Sequence, residues 1–415
     1  MDEGYISDKK VILNSPGDRV SSIYYSKGNS RVDQAEVTFN FGRFSQTLTS
    51  LQLGAQSTLI LPRASIVKNV MMHFQLPALV ADQTLPRGWG YALIRNISYL
   101  LGSSTQVQIN GQSHFQSVML SAPSVEKRSE LLKIGGEEQL AVTADAVDAY
   151  VALDLPWSSM GDGKKGIDTL LLNSPMQISI ELANADYLYG GTGVRPSALL
   201  QGKMLLLQGE LAYKEMSLAG ALIQNPGFRY SYPYIHKQSF VLGQSCTAAT
   251  PQTVQLQAFQ NGDLLMVSVG IIKSSDIYDS TSNSRNPFNY EQVTDVSLLF
   301  NGTVMYNSPE KMYKLYDLID SDPTYVQASL IAAGTTTPFT SSPINTYMLH
   351  FPFTGVNPLP FGEKTDNHFY NTWRIKNNTL SLTFTPASTT DYTLYFTYYY
   401  NSIASMNQDC VLYQD

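Results

Sequence analysis

Histidine is the residue most often recruited to metal and acid–base chemistry, and the chain holds five: His73, His114, His236, His350 and His368. No two stand at helical or strand ligand spacing. A metal site of the kind some tandem β-sandwich enzymes use needs two histidines two apart with a later acid and histidine, and that pattern is absent. These residues therefore read as scattered core or surface histidines. Gly161-Asp162-Gly163-Lys164-Lys165-Gly166 superficially resembles a phosphate loop. It lacks the glycine, lysine and hydroxyl order that such a loop requires, and no helical pattern follows. Gly190-Gly191-Thr192-Gly193 is a glycine cluster joining two strands. Asp276, Asp279 and Asn283 fall in a Ser- and Asn-rich loop where oxygen ligands for a hard cation could gather, but their spacing is that of a solvated loop. There is no nucleophile elbow. Two carboxylates can converge from distant strands, so a glycosidase pair stays open, with no particular pair indicated. The expected inventory is no catalytic, no cofactor-binding and no metal-binding residue, no cofactor, and no enzymatic activity.

Composition narrows the classes further. The chain has 415 residues, 43% of them hydrophobic, 15% charged, with a net charge of −7. The charged share is well below the roughly 25% usual for soluble domains. Ser, Thr, Asn, Gln and Tyr fill the deficit. Such a surface suits packing against other subunits, where long charged side chains are costly to desolvate. It equally suits a β-rich protein that never oligomerises. With no basic domain, no direct sequence-specific nucleic-acid binding is expected. Two cysteines, Cys246 and Cys410, exclude a disulfide scaffold and fit a reducing compartment. The start MDEGYISDKK is not that of a secretory signal, which points to synthesis and assembly inside a cell. Sequons occur at Asn96, Asn301 and Asn377, without special meaning in that setting.

The elements that would carry any site are short β-type runs punctuated by Gly, Pro, Asn and Ser. Residues 1–33 form a polar N-terminal arm, which composition favours as a tail, with a strap ordered by a neighbouring subunit as the other reading. Eight strands are predicted near 36–41, 57–61, 66–76, 92–101, 105–109, 149–155, 176–182 and 203–213. Eight more follow near 238–242, 253–258, 264–272, 293–300, 303–306, 345–352, 373–384 and 392–401. Many short strands between turns predict an all-β sandwich or barrel class. The turn signal Asn225-Pro226-Gly227 sets domains of 34–222 and 223–415.

The two series look like one plan used twice. Ile97-Ser98-Tyr99-Leu100-Leu101-Gly102 aligns with Val296-Ser297-Leu298-Leu299-Phe300-Asn301, 199 residues on. Val107-Gln108-Ile109 matches Val304-Met305-Tyr306. Phe115, Val118, Met119 and Ala122 predict a helix by their i, i+3, i+4, i+7 spacing, and Met312, Leu315, Tyr316 and Ile319 repeat it. Ser308 would cap the second helix and Pro309 would occupy its first turn. Leu155-Pro156-Trp157 and Phe351-Pro352-Phe353 end a strand in each half, each before a long loop, Ser158–Asn173 and Thr354–Asn371. Two unrelated sandwiches are the alternative. In the last strand, Tyr392, Leu394, Phe396, Tyr398 and Tyr400 share a core face, while Tyr395 and Tyr399 make the other face aromatic too. That second face is either a subunit interface or a surface covered by the chain's own loops.

Gly90–Gly102, the helix over Gln112–Leu120, Asp295–Gly302 with its Asn-Gly turn, Thr372–Leu380 and Tyr398–Ile403 together resemble segments of a known family. The similarity is to the double jelly-roll major capsid proteins of large eukaryotic DNA viruses, virophages and polinton-like elements, in order over about 90–410. Where that family often carries Arg after the Asn-Gly turn, this chain has Thr303-Val304-Met305, so it resembles a divergent member. The resemblance implies two tandem eight-stranded jelly-roll β-sandwiches with short helices in the loops. It implies a homotrimeric, pseudo-hexagonal capsomer tiling an icosahedral virion shell. The implied partners are other copies, neighbouring capsomers, minor capsid and penton proteins, and an internal membrane met through the N-terminal arm. The loops after Pro156 and Pro352 would rise as towers on the outside, with the arm inside. The alternatives are a tandem jelly-roll carbohydrate-active or amide-cleaving enzyme, which would need a cleft of convergent acids, and a lectin-like binding module, which would stay monomeric or dimeric.

Overall fold

The computed structural model describes residues 9–15, 18–26, 37–48, 51–61, 66–86, 88–101, 104–121, 125–136, 143, 145–153, 174–191, 193–196, 199, 201–211, 229–256, 262–278, 287–288, 290–291, 293–309, 349–353, 370–371, 379–406 and 412–414. It opens with a hairpin, β1 (Lys9–Ser15) and β2 (Asp18–Ser26). The first sandwich follows: β3 (Val37–Leu48), β4 (Gln56–Ile60), β5 (Ile66–Leu76), β6 (Ile94–Leu101), β7 (Ser104–Asn110), β8 (Val147–Leu153), β9 (Met176–Leu182) and β10 (Gln201–Leu211). Between these strands lie α1 (Trp89–Ala92), α2 (Gly111–Ser121), α3 (Val125–Ile134) and α4 (Ala185–Leu188). The second sandwich holds β11 (Arg229–Cys246), β12 (Gln252–Leu256), β13 (Asp263–Lys273), β14 (Val293–Phe300), β15 (Thr303–Pro309), β16 (Leu349–Pro352), β17 (Tyr370–Asn371), β18 (Leu380–Pro386), β19 (Thr390–Met406) and β20 (Leu412–Gln414), with α5 (Ser274–Tyr278) after β13.

Both halves have one strand order. In the first, β3-β10-β5-β8 faces β4-β9-β6-β7, and in the second, β11-β19-β13-β16 faces β12-β18-β14-β15. Numbered within each half, leaving out the short β17 and β20 that lie off the main path, that is 1-8-3-6 against 2-7-4-5 both times, which is the jelly roll. Irregularities repeat as well. The ladder shifts between Tyr99 and Leu100 in β6 and between Leu298 and Leu299 in β14, again 199 residues on. A bulge is a specific local insertion, so its recurrence at one spacing argues for copying of a single ancestral unit.

Period-two burial builds the two cores. On β18 every second residue, Leu380, Leu382 and Phe384, is fully buried, and β4 alternates in the same way. Each such side chain contributes roughly 1.5–3 kcal/mol on leaving water. Strand β13 instead buries both faces along Leu264–Ile272, so something covers its outside. The β14–β15 hairpin turns through Asn301 at φ 48° and Gly302 at φ 78°. Both positions lie in the left-handed region that a two-residue hairpin requires and that Asn-Gly supplies.

Four expectations change here. The N-terminal segment contains paired strands where composition favoured a tail. β1 runs parallel to β3, β2 pairs antiparallel with β1, and β11 pairs antiparallel with β2. The hairpin thus fuses one sheet of each sandwich into a single twelve-stranded sheet. Following those directions, β3 and β11 run the same way, so both sandwiches stand the same way up.

The second change is a two-residue slip. Tyr99 pairs with Val107 and Leu298 with Tyr306, so Val107 corresponds to Tyr306 and not to Val304. A slip of two keeps every side chain on its face, so the apolar pattern cannot detect it. Third, Ser308 and Pro309 do not begin a helix. They end β15, opposite Val296 and Asp295, on a sheet edge where proline is tolerated. The stripe of Met312, Leu315, Tyr316 and Ile319, the boundary near Asn225 and the Ser158–Asn173 loop lie outside the described residues.

The fourth concerns polarity. The hairpin joins β3 and β11 near their first residues. Alternating directions put the ends of β8 and β16 at that same end, so the connections after Leu153 and Pro352 leave beside the hairpin. Their departure points, Leu153 and Pro352, are thus at the hairpin's end of the sheet and not opposite it. The opposite end carries the β5–β6, β7–β8 and β9–β10 connections and their helices.

Candidate functional site in the interface between the sandwiches

What covers the outer face of the sheet around β13 is α2, delivered by the first sandwich and lying on β19, together with Tyr290 over β13. The entry to α2 is tightly built. Asn110 ends β7 and its side-chain oxygen accepts from the Ser113 backbone N–H at 2.8 Å, an N-cap. The next residue, Gly111, fits under the Ile94 carbonyl. From Gln112 to Val118 the helix is buried on all sides, polar residues included: Gln112, Ser113, His114, Phe115, Gln116, Ser117 and Val118.

Gln112, Ser113 and Ser117 bond to the second sandwich. The Tyr290 hydroxyl donates to Gln112 Oε1 at 2.9 Å, while Gln112 Nε2 donates to the Pro287 carbonyl. Thr397 Oγ1 donates to Ser113 Oγ at 2.6 Å, Ser117 Oγ lies 3.2 Å from Tyr399 Oη, and the Asn110 N–H donates to Ser239 Oγ at 3.0 Å. Phe115 packs against Phe288 with centroids 4.1 Å apart and the rings tilted by 30°. Gly270 leaves room for this contact: a Cβ there would stand 2.5 Å from the Tyr290 ring and 2.9 Å from Gln116 Nε2. The first core therefore continues through α2 into Ile272, Ile277, Phe288, Tyr290 and Tyr395.

Burial sets the electrostatics. It pushes His114 down to about 3, with the charge of Lys237 acting in the same direction and the Ala152 carbonyl opposing. Burial lowers Lys237 to about 7. It raises Tyr399 to about 12 against the opposing bonds from Ser117, Ser268 and Thr397, and it raises Tyr290 too. All of these shifts favour neutral forms, which is the state a dry protein–protein contact needs. Tyr399→Phe is expected to cost about 1–2 kcal/mol, because it strips a partner from buried hydroxyls. A double-mutant cycle with Ser117→Ala in denaturant should show coupling of about 0.5 kcal/mol or more.

The outer aromatic face of β19 is thus covered by its own chain: Tyr395 and Tyr399 lie under the first sandwich, while Tyr392, Leu394, Phe396, Tyr398 and Tyr400 fill the second core. The other singled-out residues do not converge. His73 lies 2.7 Å from Asp148 and stacks on Tyr150. His236 tilts against Tyr400 and is lowered by burial. His350 sits on β16 opposite Ser268. His368, Gly161–Gly166, Asp279, Asn283, Asn377 and Cys410 lie outside the described residues. Asp276 is in α5, and Cys246 is buried at the end of β11. Gly193 donates its N–H to the Asp82 carbonyl at 2.9 Å, closing a loop contact. Asn96 donates to Glu181, and Asn301 Oδ1 accepts from the Thr379 N–H at 2.9 Å. Among the described residues no group of three or more His, Cys, Asp or Glu could hold a metal ion, and no helix is long and apolar enough to cross a membrane. Sequence reasoning missed Lys237, Gln112 and Ser117. The available signal was the small or absent side chain at Ser268 and Gly270 inside an otherwise bulky apolar strand.

No protein-family model and no curated protein matches the sequence. Solved structures do. PBCV-1 VP54, fitted into a reconstruction of the virophage Sputnik, superposes with TM-score 0.66 at 12% identity over 88% of this chain and 95% of its own. The Faustovirus major capsid protein gives 0.61 at 9% identity over 90% and 92%. The Sputnik virophage structure gives 0.58 at 12% over 94% and 91%. With strand order, bulges and these superpositions in agreement, the chain has the double jelly-roll fold seen in those viral capsid structures.

Proposed function

We propose that the chain is a major capsid protein whose homotrimer forms a pseudo-hexagonal tile of an icosahedral double-stranded DNA virus shell. One observation carries this reading: a single chain holds two jelly rolls of identical strand order, standing the same way up in one continuous sheet. Three such chains around an axis present six like wedges, and six wedges fill a hexagon. Closed rotation satisfies contacts that would otherwise grow into a filament. The interface between the wedges is buried and hydrogen-bonded, which suits a tile, and in this reading the protein acts as structure and not as an enzyme. The partners of this reading are neighbouring capsomers, minor capsid and penton proteins, and an internal membrane on the side of the N-terminal hairpin. Its place is the virion.

Purified protein should elute as a trimer by light scattering, about 138 kDa for three copies of a 45.9 kDa chain. Negative-stain images should show three-fold particles with a hexagonal outline. A stable monomer at micromolar concentration would overturn the proposal.

A further inference from the structure

The two sandwiches keep separate strand ladders, and α2 carries the contact between them. Within that contact stands His114. Its side chain is fully buried, and neither ring nitrogen completes a hydrogen bond. Buried polar atoms are ordinarily bonded, so an imidazole without partners gains two bonds whenever water reaches it.

The groups around it favour the neutral ring. On α1, Tyr91 packs with its ring centroid 6.3 Å away. On β11, Lys237 is buried, and its charge acts against a second cation. The Ala152 carbonyl of β8 favours the charged ring, but less than Lys237 opposes it. Tyr399 of β19 pairs with Lys237 and holds its proton. The titratable groups facing His114 are thus two phenols and an amine, and among the described residues that act on it none is a carboxylate. Protonating the ring inside the closed contact places a second cation beside the first, away from water.

We infer that His114 is an acid-operated latch: its protonation draws α2 away from β19 and opens the contact between the sandwiches, while both sandwiches stay folded. Opening hydrates the imidazolium, which the closed contact cannot do. It breaks no strand ladder, because Gln112, Ser113, Ser117 and Ser239 cross the contact with side-chain bonds. The β1–β2 hairpin keeps the two sheets joined through β3 and β11. In a capsid tile, acid then loosens each pair of wedges without unfolding them. That consequence rests on the capsomer reading, and the latch itself does not.

The test is hydroxyl-radical footprinting of the full chain at pH 7 and pH 5, which reads side-chain exposure residue by residue, in a monomer or a trimer alike. Phe115, Tyr395 and Tyr399 report the contact, while Leu382 and Phe384 report the second core. Oxidation of the contact residues should rise about 25-fold at pH 5, the ratio for a base of pKa 6.5 when open and about 3 when closed. Leu382 and Phe384 should not change. His114→Gln, neutral at both pH values, should cut the rise to about twofold, the share left to Lys237 at about 7. Equal rises in contact and core would mean global unfolding and overturn the latch, as would a His114→Gln protein with the full acid response. If that variant does not fold, His114→Asn takes its place. A wild-type contact whose oxidation is unchanged at pH 5 overturns the inference without either.

Discussion

Gly111→Ala is expected to yield no folded protein. A Cβ at this position would lie 1.8 Å from the Ile94 carbonyl oxygen and 2.9 Å from its carbon. Both are backbone atoms of β6, so no rotamer change relieves the clash. Relief demands that α2 lift away from β6, and α2 carries the contact with the second sandwich. The Asn110 cap, the Ser239 bond and the burial of Phe115 would go with it. A loss beyond about 4–5 kcal/mol is exceptional for one substitution, and a backbone clash feeding a buried interface belongs to that class. Soluble yield and thermal unfolding check it. Gly243→Ala is the control, since nothing lies within 4 Å of a Cβ there. It should melt within a degree or two of wild type. A Gly111→Ala protein with wild-type melting would show that the β7–α2 junction is not built this way.

That junction marks the edge of what the sequence reveals. Strands that bury one face announce themselves by alternation, and both series were legible, down to the left-handed Asn301-Gly302 turn. The internal copy was legible for the same reason. The register within it was not, because the shift from Val304 to Tyr306 preserves facing. Helix α2 was visible through Phe115 and Val118, but its role was hidden. Gln112, Ser113, Gln116 and Ser117 look like a solvated helix face, and their partners Tyr290, Thr397 and Tyr399 come more than 170 residues later. The hairpin β1–β2 was hidden for a different reason. It forms by pairing with two sheet edges that come from distant parts of the chain. Chain direction, which decides the end each loop leaves from, is a property of the assembled sheet and not of any segment.

Lys237 should make the protein more stable at pH 9.5 than at pH 7. Its side chain is 4% exposed on β11, and burial lowers its pKa from 10.5 to about 7. Between those values the unfolded chain holds a proton on Lys237 that the folded chain has released. The unfolded state then binds more protons, so unfolding free energy rises with pH across the window, at most about 1.4 kcal/mol per unit. Below pH 7 both states carry the charge and the full cost persists. His114 extends the decline: lowered to about 3 from 6.5, it costs further stability as pH falls through that range. Near pH 10 the trend reverses, because unfolded tyrosines ionise while buried Tyr99, Tyr290 and Tyr399 hold their protons. Lys237→Met keeps the length of the side chain and removes the charge. It should raise the unfolding free energy at pH 7 by a few kcal/mol, the magnitude set by how far burial depresses the amine. At about pH 9.5 the gap between variant and wild type should have narrowed to about 1.4 kcal/mol, since the folded amine is neutral there while the unfolded one still binds a proton up to 10.5. Denaturant midpoints at the two pH values decide it. Equal slopes for the two proteins would mean that the Lys237 ammonium is solvated in the fold, and that the contact between the sandwiches is not closed around it.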